Sequence, residues 1–543
     1  MKYISTRMSN SRSGNSRSGN SGSGNSGATA SGVSAKEAIL QGLAPDGGLY
    51  VPESIPVFDQ KFLESLPTLS YTELAMAILR PYLDFTENEL ETCVNAAYAS
   101  DRFSHKAVAP VVSPFCNQVS NQVSTQINNQ GDIHFLELFH GPTLAFKDMA
   151  LSILPHLLKV SAADISGASV ASGASDISQN SKKIIILTAT SGDTGKAALE
   201  AFRDIKGVSI VVFYPEKGVS SMQKRQMITQ EGDNTYVFGV KGNFDDTQTG
   251  VKKIFSDPDL AGDMYKMGIK FSSANSINIG RLLPQIVYYF YAYGQLIKGK
   301  TVGKTNDKIN FVVPTGNFGN ILAGYYAKKM GLPIGKLICA SNDNKILYDF
   351  FRTGTYDKNR EFFCTISPSM DILVSSNLER LLFHATDGDS VRAMMDGLSS
   401  KGRFEIQLSL PDFYGFYSTE AETKKAIYDV GQKGYTMDPH TAVAYHAGQR
   451  YIEETGDSTR QIVISTASPY KFGSDVMDAL SGNTSPVGQE VSVTEDMEIV
   501  KALSKKSGLP IPEAITQLAQ KPVRHTTICP IEGMEEVVRK LLE

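Results

Sequence analysis

At 543 residues, with 41% hydrophobic and 20% charged residues, the chain can bury a large core without disulfides or metals, and its length suggests roughly two to four domains. Lys and Arg number 53 against 57 Asp and Glu, a formal charge of −4; this argues against a general nucleic-acid binder and leaves a local basic patch open. The five cysteines, Cys93, Cys116, Cys339, Cys364 and Cys529, are scattered without a CxxC pair and point to free thiols in a reducing compartment.

No apolar core follows Lys2, so a secretory signal is not expected. Residues 9–32 are low complexity: SRSGN stands at Ser11–Asn15 and Ser16–Asn20, then SGSGN at Ser21–Asn25. Such a tract buries too little apolar area to offset ordering entropy and reads as a flexible insert. It holds a formal GxGxxG at Gly22, Gly24 and Gly27, but no strand precedes it and no helix directly follows, so a dinucleotide site is rejected. Arg12 and Arg17 give it the weakly basic character of a transit peptide.

Residues 33–105 read as an N-terminal helical domain, with helices over Thr72–Tyr82 and Thr86–Ala97. Residues 106–480 form the core. Within them, amide-rich Asn117–Gly131 and Ser/Ala/Gly-rich Ser161–Ser181 are expected to be surface loops. Strands are predicted at Ile184–Leu187, Val208–Phe213, Tyr236–Val240, Phe311–Val313, Leu337–Ala340 and Gln461–Ser465. Helices follow at Lys196–Phe202, Ile321–Met330 and Ser474–Leu480. This repetition predicts an α/β fold with parallel sheets, whose ligands sit beyond the carboxyl ends of the strands. The apolar run Leu282–Ile297 contains Pro284, Gln285 and Gln295, and is read as a buried amphipathic helix rather than a membrane span. Residues 481–543 are expected to form a helical cap, with helices over Glu495–Ser504, Ile511–Leu518 and Met534–Leu542.

Four elements are candidates for chemistry. Thr188–Gly195 (TATSGDTG) follows a strand; its glycines and hydroxyls suit an anion at a helix N-terminus, and equally suit a tight capped turn. It is not a phosphate-binding Walker loop, because Thr190 and Ala197 stand where that pattern needs Gly and Ser or Thr. Pro314–Asn320 (PTGNFGN) opens a helix with two glycines, a phosphate cradle or again a turn. Ser465–Pro469 (STASP) is a hydroxyl cluster of the kind that often caps a strand end. In His140–Met149, Lys147 lies between Phe146 and an apolar stretch, where a lowered pKa would make it a nucleophilic amine; most lysines beside an Asp are solvated surface groups. Taken together, a lysine nucleophile, a phosphate cradle and a carboxylate loop match the needs of a pyridoxal-phosphate enzyme acting on amino acids.

The sequence resembles the threonine synthase family, within the fold-type II, tryptophan-synthase-like pyridoxal-phosphate enzymes. The matching stretches are MKYISTR at the start, GLAPDGGLYVPE at 42–53, HGPTLAFKD at 140–148, LTATSGDTG at 187–195, SANSIN with Arg281, PTGNFGN at 314–320, DPHTAV at 438–443, and STA with PYKF at 465–472. The resemblance implies two three-layer α/β subdomains with the cofactor between them. The matching opening also argues against a cleaved transit peptide.

It further implies residue roles. Lys147 would hold pyridoxal 5′-phosphate through a Schiff base and shuttle protons. Gly316, Asn317, Phe318, Gly319 and Asn320 would bind the cofactor phosphate, Asp193 would lie near its phenolic oxygen, and Thr466 would meet its pyridine nitrogen. Thr190, Ser191 and Thr194 would hold the substrate carboxylate. Asn275, Ser276 and Arg281 would hold the substrate phosphate. No metal is expected. The family often reads TAHPAKF where this chain has Thr466–Phe472 (TASPYKF), so Ser465 and Ser468 remain alternative partners for the ring nitrogen.

The implied reaction converts O-phospho-L-homoserine and water to L-threonine and phosphate, in the cytoplasm, by a monomer or homodimer with no nucleic-acid or membrane partner. A phospholyase that releases phosphate without hydrating the β-carbon is the alternative enzyme. A non-catalytic binding protein would lack the nucleophile, and a nucleotide site at Gly195–Lys196 would survive loss of Lys147. His140 and His440, two of the eight histidines, are read as structural or hydrogen-bonding groups rather than metal ligands.

Overall fold

The computed structural model describes residues 1–8, 32–115, 133–165, 183–190, 192–216, 219–299, 306–407, 409–482 and 493–541. Lys2–Ser5 is the central strand of a three-stranded antiparallel sheet, flanked by Val33–Ser34 and Tyr50–Pro52. Tyr3 is fully buried there, and its hydroxyl donates to the Tyr82 carbonyl at 3.0 Å. The opening residues and the helical segment beyond the Ser/Gly tract therefore share one core. Helices Tyr71–Leu79 and Glu87–Ala97 each start at a capping box, Ser70 with Glu73 and Thr86 with Glu89. Their i,i+4 pairs Leu74/Ile78 and Leu90/Val94 face inward.

Two sheets form the core. The larger runs Phe413–Tyr417, Ile334–Ser341, Ile309–Pro314, Gln461–Ser465, Ile133–Glu137 and Val111–Val112, all parallel except the last pair. The smaller runs Ile528–Pro530, Thr235–Lys241, Val208–Pro215, Lys183–Ala189 and Ile269–Ser273, parallel throughout. Helices cover both faces, which is why Ile309–Pro314 (INFVVP) and Val208–Pro215 (VSIVVFYP) are buried along their whole length. The α/β expectation with parallel sheets holds.

Several boundaries move. Strands Ile133–Glu137, Ile269–Ser273 and Phe413–Tyr417 join the sheets without having been anticipated. Each is short, and only burial between neighbours distinguishes it from loop. Helix Leu154–Ile165 runs into the stretch expected to be a loop from Ser161, because Ser161 turns inward and its hydroxyl donates to the Leu157 carbonyl at 2.8 Å. The C-terminal region is not wholly helical. Ile528–Pro530 adds an edge strand beside Thr235–Lys241, and Met534 and Val538 of the last helix pack into that sheet's core. The run around Leu282–Ile297 becomes two helices, Ile279–Leu282 and Pro284–Lys298, with Ile286, Val287, Tyr288, Tyr289, Phe290 and Tyr293 fully buried. Among the described residues no helix is long and apolar enough to cross a membrane. Most of the tracts 9–32, 117–131 and 161–181 lie outside the described residues.

Candidate active site

Five strand ends supply the site. Ile133–Glu137 leads to the Lys147 segment, Lys183–Ala189 to Thr190, Ile269–Ser273 to Asn275, Ile309–Pro314 to the glycine loop, and Gln461–Ser465 to Thr466. The arrangement follows from parallel strands that all end on one side of each sheet.

Lys147 immediately precedes the short helix Asp148–Leu151. The turn before it is held by Asp148, whose carboxylate accepts from the Thr143 amide at 2.8 Å and the Thr143 hydroxyl at 2.6 Å. Gly141 is required here, since a Cβ would lie 2.5 Å from the Asp148 side chain. Phe146 donates its amide to the Thr466 carbonyl, and the Lys147 ammonium sits 4.2 Å from the centre of the Phe146 ring. Lys147 Nζ has no hydrogen-bond or ion-pair partner among the described residues. Burial is the main influence on it; Asp193 pulls its pKa up, Arg281 and Lys471 push it down, and the outcome is about 8. The lysine is thus poised to lose its proton near neutrality, as the sequence suggested.

The glycine loop shows why its residues are needed. A Cβ on Gly316 would sit 2.5 Å from the Ser369 carbonyl oxygen. Phe318 takes a left-handed conformation, φ 64°, at the N-cap of helix Gly319–Lys329, held by ring contacts with Phe351 and Phe413 at 6.0 and 5.7 Å. The backbone N–H groups of residues 316–320 find no acceptor among the described residues. Asn320 is buried, its Oδ1 accepts from the Tyr288 and Tyr289 hydroxyls at 2.6 and 2.9 Å, and its Nδ2 is left without a partner among the described residues. Buried donors of this kind call for an anion.

Thr190 Oγ1 accepts from the Gly192 and Gly195 amides at 2.9 and 2.8 Å, so its lone pairs shape the turn and its proton stays free to donate. Ser191 lies outside the described residues. Thr194 Oγ1 accepts from Arg281 at 3.5 Å, which joins the expected carboxylate and phosphate sites. Arg281 also donates to the Ala274 carbonyl at 2.7 Å and has no carboxylate partner among the described residues; burial brings its pKa down to about 10. Asn275 Oδ1 is buried without a partner among the described residues. Ser276 is tied through its carbonyl to Arg380 at 3.3 Å and lies next to Gly319.

The three candidate hydroxyls near the ring nitrogen differ. Ser465 Oγ lies 3.0 Å from Thr441 Oγ1, and Ser468 Oγ accepts from the Tyr470 amide at 3.4 Å. Thr466 Oγ1 has no partner among the described residues.

Asp193 begins helix Asp193–Phe202 and is buried. Burial would raise its pKa, but Lys471, then Lys147 and a Gln223 hydrogen bond outweigh burial and bring it to about 2. Lys471, its 3.1 Å ion-pair partner, was quoted within PYKF but given no role, and no spacing rule points to it. Ser369 was also missed; its hydroxyl approaches Asp193 at 3.5 Å and its amide donates to His440 Nε2 at 3.1 Å. His440 is therefore a hydrogen-bonding support, its Nδ1 paired with Asp438 at 2.8 Å. Around Lys147 the charged groups are the carboxylate Asp193 and two further buried cations, Arg281 and Lys471. That surplus of positive charge and the unclaimed N–H groups fit a phosphorylated aldehyde cofactor and a phosphorylated amino acid.

Sequence profiles agree. Residues 119–467 match the family described as pyridoxal-phosphate dependent enzyme, residues 23–98 match threonine synthase N terminus, and residues 441–538 match threonine synthase, C-terminal. The threonine synthase of Saccharomyces cerevisiae is 38% identical over 499 residues, covering 87% of this chain and 91% of that protein.

The chain belongs to the threonine synthase family.

A pyridoxal-phosphate-bound threonine synthase from Brucella melitensis matches its structure with a TM-score of 0.77 at 34% identity, covering 99% of each chain. Pyridoxal 5′-phosphate is the cofactor of this fold-type II enzyme. The human protein named threonine synthase-like 1 is 38% identical over 82% of this chain, which spans 58% of that longer relative.

Proposed function

We propose that the chain converts O-phospho-L-homoserine and water to L-threonine and phosphate, by γ-elimination and β-hydration. The observations that carry this are the unpaired Lys147 amine within electrostatic reach of Arg281 and Asp193, and the unclaimed N–H groups of the loop 316–320. When bound, pyridoxal phosphate supplies an electron sink that acidifies the substrate's α and β C–H bonds.

The chain's residues do the rest. Gly316, Asn317, Phe318, Gly319 and Asn320 hold the cofactor phosphate through backbone N–H groups and the free Asn320 amide. Thr466 would offer a neutral hydroxyl to the ring nitrogen, and Asp193 would stand near the ring oxygen. Lys147, covalent anchor of the cofactor, removes and returns protons from Nζ; its depressed pKa keeps a useful fraction neutral. Thr190, Ser191 and Thr194 grip the substrate carboxylate. Asn275, Ser276 and Arg281 hold its phosphate, and Arg281 stabilises the charge that builds as that group leaves. The Arg281–Thr194 contact sets the spacing between the two substrate ends.

The enzyme works as a monomer or homodimer in the cytoplasm, with no nucleic-acid partner. The free cysteines Cys93, Cys339, Cys364 and Cys529 support a reducing compartment. The purified chain, given pyridoxal phosphate and O-phosphohomoserine, is expected to form threonine and phosphate in equal yield. Phosphate accompanied by a keto acid and ammonia, without threonine, would replace this reading with a phospholyase.

A further inference from the structure

Lys471 sits in the 3₁₀ turn Pro469–Phe472, and its side chain is fully buried. Its ammonium has three donors and three acceptors: Asp193 Oδ1 at 3.1 Å, Gln226 Oε1 at 2.8 Å and the Thr143 carbonyl at 2.9 Å. Asp193 Oδ1 also accepts from Gln223 Nε2 at 2.9 Å. The cluster spans both halves of the core. Lys471 and Thr143 follow strands of the six-stranded sheet; Asp193, Gln223 and Gln226 belong to the five-stranded side. Gly192, at φ 133°, leaves no room for a Cβ against Gln223, so the backbone before Asp193 is pressed onto the same cluster.

A buried carboxylate that loses one of its cations stays ionised only by leaning harder on the cation that remains. That cation is Lys147, on which Asp193 exerts the main upward pull. We propose that Lys471 is a positioning residue: it holds Asp193 in place and neutralises part of its charge, and so sets the proton affinity at Lys147 Nζ. The proposal rests on the functional reading above. The groups facing Lys147 Nζ are Asp193, Arg281 and Lys471, together with the Phe146 ring.

The sign follows from the charges. Without Lys471, Asp193 acts on Lys147 unshielded and one repelling cation is gone; both changes favour a proton at Nζ. The test is a pH titration of the bound cofactor's absorbance in the full-length, pyridoxal-phosphate-loaded chain. Lys471→Met is expected to raise the midpoint by about one pH unit or more. Lys471→Arg, which keeps the charge, is expected to restore it, and Asp193→Asn to lower it. In the Asp193→Asn background, adding Lys471→Met should shift the midpoint by less than half as much as it does alone. An unchanged midpoint in Lys471→Met, or an equal shift in both backgrounds, overturns the proposal and leaves the functional reading intact. If Lys471→Met fails to load cofactor, the double variant, which removes both charges, should load it; a double variant that also fails overturns the charge-pair argument. A wild-type chain with no titrating cofactor absorbance overturns the functional reading and this proposal together.

Discussion

The Phe146 amide donates to the Thr466 carbonyl at 2.7 Å, and the Ser468 amide donates back to the Leu144 carbonyl at 3.0 Å. With the antiparallel bridge between Ala145 and Ala467, these bonds stitch the segment that carries Lys147 to the segment that carries the free hydroxyl. Backbone pairing therefore fixes the segment that bears Lys147 against the segment that bears the Thr466 hydroxyl.

Borohydride reduction of the cofactor-loaded protein, followed by peptide mapping, is expected to tag Lys147. Lys147→Ala should keep the fold by circular dichroism and lose about 10³-fold or more in threonine formation. A tag on another lysine would contradict the assignment.

Among the three hydroxyls, Thr466→Val is expected to weaken cofactor binding by about tenfold, the worth of one hydrogen bond of roughly 1–1.5 kcal/mol. Ser468→Ala should instead lose stability, by about 1 kcal/mol, since its hydroxyl caps a turn. Equilibrium dialysis and thermal melts separate the two effects; stronger cofactor loss in Ser465→Ala than in Thr466→Val would reverse the choice.

Gly316→Ala introduces a Cβ 2.5 Å from the Ser369 carbonyl oxygen, backbone that has no flexible end to move aside. Overpacking of about 1–3 kcal/mol is expected, together with loss of cofactor affinity, because the loop and the 368–370 turn must separate. A crystal structure of a stable, fully loaded variant would show that the loop tolerates the displacement.

Arg281→Lys keeps the charge and loses the fork. The KM for O-phosphohomoserine should rise by about one to two orders of magnitude, with cofactor retention unchanged. Steady-state kinetics beside absorbance of the loaded variant checks both parts.

His384 is held neutral: burial, then Arg380 and Lys329, lower its pKa from 6.5 to about 4. The unfolded chain binds its proton first as pH falls, so stability is full above about 6.5 and is lost as pH drops toward 4. The site contributes a loss of about 2 kcal/mol between pH 7 and pH 5. His384→Gln should remove that portion of the acid sensitivity in chemical denaturation at the two pH values, at the cost of the Tyr326 hydrogen bond (2.8 Å).

What could be read from the chain alone were features whose causes are local. Gly316 and Gly319 in PTGNFGN mark a tight strand-to-helix turn or an anion cradle, and that loop opens a helix because Pro314 ends a strand. Lys147 between Phe146 and Met149 stands out as a candidate amine only together with the other loops, and the parallel α/β pattern follows from apolar runs separated by helical spacing. Three decisions belong to the tertiary structure. Thr466 stands apart from Ser465 and Ser468 only because Thr441 and the Tyr470 amide claim the other two. Ile528–Pro530 is a strand only because Thr235–Lys241 offers it an edge. Asp193 meets Lys471 only because two sheets dock through Thr143, Gln223 and Gln226. Turn geometry and helix starts depend on a few adjacent residues, so a motif can record them. A buried charge pair between distant segments depends on how the whole core closes, and no short stretch of sequence encodes it.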